Sequence, residues 1–290
     1  MSGEISAEHI TWRAMMQRVE EQVGQRNIAR WLCEHASGCD ADEFSEVLDE
    51  LVSERSGQQL HDMLQRFAAG EPLQYVMGRW AFRELDLMVD RRVLIPRPET
   101  ELIVDIVKTH LGAKREAITL VDLGTGSGAI GLSLLHELPL GGATVWMTDE
   151  SQDALHVARA NAAGIGRPAI GARFAHGNWC DALPAELVGV CDVVVSNPPY
   201  IAEGDAEVES SVLEWEPTDA LFAGVDGLDD IAQIVQTAPK WLAPGGMLVT
   251  EMGYTQALAI QQLFSAAGFT RVTVHQDLTG RDRFVSGIFG

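Results

Sequence analysis

Ser196-Asn197-Pro198-Pro199-Tyr200 carries donor and acceptor types suited to a nitrogen about to be alkylated. A primary amide or amine presents two N–H donors, so a site that orients it needs two acceptors and no competing donor. Asn197 supplies a side-chain carbonyl, and Pro198 a backbone carbonyl without an N–H of its own. The double proline fixes the turn, and Tyr200 can pack against a planar group. The plainer alternative is a Pro-rich turn after a strand with no ligand. It loses weight when a second cluster falls on a neighbouring strand.

That cluster is Asp122-Leu123-Gly124-Thr125-Gly126-Ser127-Gly128, which follows the apolar run Thr119-Leu120-Val121 and opens into a helix. Glycines there let the backbone approach a ligand closely. Gly126-Ser127-Gly128-Ala129-Ile130-Gly131 satisfies G-x-G-x-x-G, and Asp149 follows at the distance of a ribose-binding acid. Taken alone, this pattern suits a dinucleotide as well as S-adenosylmethionine. Asp149, ending Val145-Trp146-Met147-Thr148, can accept both ribose hydroxyls of either, and a chance glycine cluster is the alternative.

The elements that must position these residues alternate in type. Strands are expected at Ile118–Leu123, Thr144–Thr148, Val193–Ser196 and Met247–Glu251, and helices from Ser127, over Asp153–Ala163, near Leu228–Trp241 and over Gln256–Ala267. Such alternation implies right-handed crossovers and a doubly wound, mainly parallel α/β sheet with both faces covered. Arg271–Leu278 and Arg283–Phe289 flank the turn Thr279-Gly280-Arg281-Asp282, so the last strand is expected to be antiparallel. The first part differs. Trp12, Met15, Met16, Val19 and Val23 recur at helical spacing, as do Phe44, Val47, Leu48, Leu51 and Val52, and Leu60, Met63, Leu64 and Phe67. None of these stripes can bury its face alone, so residues 1–70 are expected to form a small helical bundle. Gly70-Glu71-Pro72 ends it. Residues 71–97 read as a linker with a hairpin around Trp80–Val89, and Thr100 or Glu99 starts a helix to about His110 in the 98–290 domain.

Composition limits the partners. The chain has 290 residues, 46% hydrophobic, with 21 Lys+Arg against 42 Asp+Glu, a formal net charge of −21. Residues 1–97 are net −6 and residues 98–290 net −15, and between Phe174 and Thr270 Lys240 is the only Lys or Arg. A protein that grips a polyphosphate needs several such cations, so tight non-specific binding of nucleic acid or an anionic membrane is not expected. Cys33, Cys39, Cys180 and Cys191 are too sparse for a disulfide scaffold. Cys33, His35 and Cys39 offer three ligands without a fourth, so no metal is expected. Met1–His9 lacks the basic and apolar regions of a signal peptide, and no apolar run approaches the roughly 20 residues of a membrane span. A cytoplasmic protein with reduced thiols is the simplest reading.

Together the two clusters resemble the class I S-adenosylmethionine-dependent methyltransferases that modify a planar nitrogen, which implies a seven-stranded sheet. Glu71-Pro72-Leu73-Gln74-Tyr75, Val93-Leu94-Ile95-Pro96-Arg97-Pro98-Glu99-Thr100-Glu101, the Asp122–Ile130 loop, Ser196–Ile201, Trp215-Glu216-Pro217 and Ala223-Gly224-Val225-Asp226-Gly227-Leu228 narrow the resemblance to the HemK/PrmC family, over nearly the whole chain from about residue 25. Members of that family methylate N5 of a glutamine in peptide chain release factors. The resemblance implies S-adenosylmethionine on Gly124, Thr125, Gly126, Ser127 and Gly128, with Asp149 at the ribose and Asn178 and Trp179 at the adenine. Asn197, Pro198, Pro199 and Tyr200 would hold the glutamine, with Asn197 also facing the cofactor. Asn178 stands where the family usually has Asp, so weaker or differently tuned adenine contacts are expected, without loss of binding. Arg97 and Glu99 are assigned to shaping the site. An adenine-N6 methyltransferase of DNA or RNA shares the N-P-P-Y motif and is the alternative. Against it, Glu203, Asp205, Glu207, Glu209, Glu214, Glu216 and Asp219 follow that motif with no intervening Lys or Arg, and suit a basic protein surface. The helical domain is expected to dock the substrate.

Overall fold

The computed structural model describes residues 10–114, 117–205 and 208–290. Contacts divide the chain after Gly78 into two compact units.

In the first unit, α1 (Trp12–Val23), α2 (Arg26–Ser37), α3 (Ala41–Glu46), α4 (Glu54–Ala68) and α5 (Leu73–Met77) pack around Met15, Val19, Leu32, Cys33, Phe44 and Leu60. Local signals set their ends. Thr11 and Ser53 cap α1 and α4 through their side chains, and Asp40 with Glu43 forms a reciprocal capping box on α3. The expected stripe from Phe44 to Val52 is helical only to Glu46. Beyond it the backbone is captured instead by the chain entering α1: Trp12 N donates to the Glu50 carbonyl, Arg13 N to Leu48 and Val52 N to Ile10. The Arg66 guanidinium binds Glu71 and the carbonyls of Tyr75 and Val76, which pins α5 to α4. Cys33 lies in the core, where burial pushes its thiol up to about 12.

The second unit opens with a hairpin of β1 (Arg79–Phe82) and β2 (Leu85–Met88), then a 3-10 turn over Pro98–Glu101 and α6 (Leu102–Leu111). β3 (Ile118–Leu123), α7 (Ala129–Glu137), β4 (Ala143–Asp149), α8 (Gln152–Ile165), β5 (Ala172–His176), β6 (Cys191–Ser196), α9 (Ser210–Trp215), α10 (Asp229–Thr237), β7 (Leu242–Glu251), α11 (Ala257–Ala266), β8 (Phe269–Gln276) and β9 (Asp282–Phe289) follow. Among the described residues seven strands form one sheet, in the order β5-β4-β3-β6-β7-β9-β8. Strands β5 to β7 are parallel neighbours, and β9 runs antiparallel to both β7 and β8. This is the doubly wound α/β architecture expected from the alternation, with its antiparallel last strand. β5 carried no strand signal. It is an edge strand with exposed and half-buried side chains, so no apolar run marks it.

Successive residues of the central strands feed opposite layers. Leu120, Val193, Val195 and Val249 join α6 and α7 in one core, while Val121, Val194 and Leu248 join α10 and α11 in the other. The chain moves outward through β4 and β5, then returns to place β6 on the other side of β3. That reversal leaves a crevice beyond the carboxyl ends of β3 and β6, where doubly wound sheets bind ligands. Two contacts tie the hairpin to the helices that cover the sheet. Asn161 on α8 accepts from Met88 N and donates to the carbonyls of Met88 and Ser127, tying the hairpin to the glycine loop. Arg83, at φ 51 in the hairpin turn, pairs with Glu137 and Asp105. Among the described residues no helix is long and apolar enough to cross a membrane.

Candidate active site

The glycine loop is held from below by a buried carboxyl. Asp122 Oδ2 accepts from Thr125 Oγ1 at 2.6 Å and Gly131 N at 3.0 Å, and burial pushes this group up to about 7. Gly126 N and Ser151 N each donate to Asp149, both at 2.9 Å, one to each oxygen. A carboxylate has about four acceptor positions, so Asp149 keeps capacity for a ligand. Its pKa is raised by burial. Gly124 has φ +66, and a Cβ there would stand 2.9 Å from the Trp179 ring. Trp179 Nε1 donates to Asp230 Oδ1 at 3.2 Å. Asn178 Oδ1 accepts from Gln233 Nε2 at 2.7 Å, and its Nδ2 lies 3.4 Å from Glu150 Oε2.

Gly124, Thr125, Gly126, Ser127, Asp149, Asn178, Trp179 and Asn197 come together on one cavity of about 550 Å³. Gly128 does not line it; at φ +86 it precedes the first turn of α7. Glu150, Asp219 and Asp230 add carboxylates to the lining, so the cavity suits a ligand carrying positive charge.

A second cavity of about 500 Å³ lies against the first. Leu94, Asn197, Pro199 and Ala220 line both, while Pro198 and Tyr200 face the second alone. The motif thus forms the wall between two chambers. Pairing within the sheet fixes its place: Ser196 lies in register with Leu123, and its Oγ donates to the Leu123 carbonyl at 2.8 Å. Gln256 Nε2 donates to the Tyr200 carbonyl at 3.0 Å, and Gly227, at φ +72, packs on that same carbonyl where a Cβ would collide. This close approach gives a physical reason for glycine in the 223–228 segment.

Two buried acids complete the site, and local sequence pattern marks neither as buried. Glu251, ending β7, is 1% exposed; its Oε2 accepts from Thr100 Oγ1 at 2.7 Å and its Oε1 from the Tyr200 hydroxyl at 3.3 Å. Burial pushes Glu251 up to about 7, against the pull of Thr100 and Arg283. Asn197 Nδ2 donates to Thr100 Oγ1 at 3.3 Å. Glu216 accepts from Ile95 N at 3.0 Å and pairs with Arg97 at 2.6 Å. The Arg91 guanidinium stacks 3.8 Å from the Trp215 ring centroid. The 91–97 segment is therefore strapped to the 215–217 segment over both cavities. Arg97 lines the second cavity; Glu99 is exposed beside the strap. Glu216, expected among the acids that face a basic protein surface, is instead buried and paired with Arg97. Glu203, Asp205, Glu209, Glu214 and Asp219 are exposed, and Glu207 lies outside the described residues. Among the described residues no group of three or more His, Cys, Asp or Glu side chains is placed to hold a metal.

Residues 99–214 match the Methyltransferase small domain family, and residues 12–78 match the PrmC N-terminal domain family. Release factor glutamine methyltransferase of Xylella fastidiosa strain Temecula1 is 38% identical over 274 residues, 94% of this chain and 96% of that protein. The protein of the same name from Caulobacter vibrioides is 38% identical over 283 residues, 96% of this chain and 94% of that one. The chain belongs to the release factor glutamine methyltransferase family. Both ends of the resemblance are thus matched, the helical unit as well as the sheet. In fold, the family member described here is similar to the hMettl16 catalytic domain, at TM-score 0.54 and 14% identity over 82% of each chain. It is also similar to the T. thermophilus 16S rRNA methyltransferase RsmC, at TM-score 0.50 and 17% identity, covering 73% of this chain and 50% of that one.

Proposed function

We propose that this chain transfers a methyl group from S-adenosylmethionine to the side-chain nitrogen, N5, of a glutamine in peptide chain release factors, in the cytoplasm. The observation that supports this most is the shared wall: Asn197 and Pro199 separate an acidic, glycine-floored cavity from a second one lined by Pro198 and Tyr200. The first fits the cofactor in size, backbone clearance and charge. S-adenosylmethionine supplies a methyl group on an already activated sulfonium, so the reaction as proposed needs no metal. Gly124, Thr125, Gly126 and Ser127 shape the floor, Asp149 accepts from the ribose hydroxyls, and Asn178 and Trp179 flank the adenine. In this reading Gly124→Ala weakens S-adenosylmethionine binding about tenfold or more, because its Cβ, 2.9 Å from the Trp179 ring, displaces a side chain that flanks the adenine. Isothermal titration reads this directly, and an unchanged affinity would remove Gly124 from the floor.

A glutamine amide nitrogen is a poor nucleophile because its lone pair is delocalised, so catalysis rests on holding it in line with the methyl group. Asn197 Oδ1 and the Pro198 carbonyl accept its two N–H groups, and Tyr200 packs on the planar amide. Both acceptors strengthen as positive charge grows on the nitrogen, which favours the transition state over the ground state. The proton leaves afterwards, so no strong base is needed before attack.

The acidic rim favours a basic protein surface over the adenine of DNA or RNA, which shares the motif's chemistry. Asp205 and Glu209 line the second cavity beside Arg97 and Arg283, so the excess acid is carried by the exposed Glu203, Glu214 and Asp219 around it. Steering by these charges predicts association rates with a release factor that fall about tenfold as salt is raised, and a salt-independent rate would remove it. The helical unit serves as a docking element for the substrate. Incubation with labelled S-adenosylmethionine and either a release factor or DNA decides the substrate. Mass spectrometry is expected to find one methyl group on a release factor glutamine, and methylated DNA instead would overturn this reading.

A further inference from the structure

We infer that Thr100 and Glu251 are positioning residues that fix which end of the Asn197 side-chain amide faces the acceptor cavity. The inference rests on the glutamine reading, because only a carbonyl at that place can receive the N–H of an amide substrate. An asparagine side chain is nearly symmetric in shape, and turned over it would present an NH2 group to another N–H donor. Something in the fold must choose between the two orientations.

The donor inventory makes the choice. The Thr100 hydroxyl has one proton, and opposite an ionised, acceptor-only Glu251 that proton is committed at 2.7 Å to Oε2. Only lone pairs of Thr100 Oγ1 then remain toward Asn197. An Asn197 oxygen turned that way would meet another acceptor, whereas its Nδ2 donates at 3.3 Å. Oδ1 is thereby left free for the substrate. Glu251 is suited to the task because it is buried and receives donors on both oxygens, from Thr100 on one and Tyr200 on the other. The same carboxyl so reaches both Asn197 and Tyr200, the two motif side chains assigned to the amide. The three parts come from distant stretches, the turn before α6, the end of β6 and the end of β7, which the sheet brings to one corner.

The test compares Thr100→Val, which keeps the shape and removes the hydroxyl, with Thr100→Ser, which restores it, and with Glu251→Gln, which can donate as well as accept. Expected for Thr100→Val is a kcat lower by roughly tenfold to a hundredfold, with S-adenosylmethionine affinity and KM for the release factor within about threefold of wild type. Thr100→Ser should recover most of that loss, and Glu251→Gln should fall between. A second readout needs no substrate: the Asn197 side-chain NH2 resonance, identified by its loss in Asn197→Ala, should shift in Thr100→Val and return toward its original position in Thr100→Ser. An unmoved resonance, or a Thr100→Val kcat equal to wild type, overturns the inference. If the wild-type enzyme transfers no methyl group to a release factor, the glutamine reading fails, while the resonance still decides whether the relay orients Asn197.

Discussion

Asn197→Ala lowers methyl transfer to a release factor by about a hundredfold to a thousandfold and leaves S-adenosylmethionine affinity within about threefold of wild type. The asymmetry follows from where the residue stands. Its side chain is one part of a wall between two cavities, and the first keeps its glycine floor, Asp149 and Trp179 without it. What disappears is one of two acceptors for the amide hydrogens, together with the alignment that those hydrogen bonds impose. Such bonds strengthen as charge develops, so their loss falls on kcat more than on binding. Removing the side chain also leaves the Thr100 hydroxyl short of one neighbour, but that hydroxyl keeps Glu251 as its acceptor and the fold should hold. Single-turnover rates beside cofactor titrations check the split. Turnover within about threefold of wild type would remove Asn197 from the acceptor site.

Much of this arrangement could be read before any coordinates because its parts are contiguous. A strand, a glycine turn and a helix occupy one stretch of sequence, and Asn197 to Tyr200 occupy another, each with its own periodicity and breakers. The α/β alternation placed both at carboxyl ends of strands, and the sheet sets Leu123 beside Ser196. The features that local pattern does not mark are of a different kind. β5 is an edge strand whose pairing, rather than apolar burial, makes it a strand. Glu251 and Glu216 look like ordinary surface acids in sequence, since nothing nearby says that one will lie under Thr100 and Tyr200 and the other under a strap contributed by residue 95. Ile95 is 121 residues from Glu216, and Thr100 and Tyr200 are 151 and 51 residues from Glu251. Local pattern reports what a residue's neighbours in the chain require, while burial of a lone carboxylate is decided by distant donors that can satisfy it. Thr100 was an intermediate case: its motif was legible, and the reason for a threonine within it was not.

The strap gives the second large effect. Glu216→Ala should destabilise the catalytic unit by about 2–4 kcal/mol, a fall in Tm of roughly 5–12 °C, and raise KM for the release factor. Alanine removes both acceptors at once. The Ile95 N–H, buried at 3.0 Å from Oε2, is left without its acceptor, and Arg97 loses a 2.6 Å partner although it remains one-third exposed and can turn to water. The unsatisfied amide therefore contributes more of the loss than the guanidinium. The functional consequence follows from position. Leu94 lines both cavities and Arg97 the second, so a strap released from the 215–217 segment loosens the acceptor chamber more than the cofactor floor. Glu216→Gln discriminates between the two contacts. Its amide oxygen can still accept from Ile95 N while the charge opposite Arg97 is gone, so a loss of only about 1 kcal/mol is expected. Thermal unfolding of both variants, with an Arg97→Gln partner in a double-mutant cycle, apportions the two. A Tm unchanged by Glu216→Ala would show that neither contact of this buried carboxylate holds the strap.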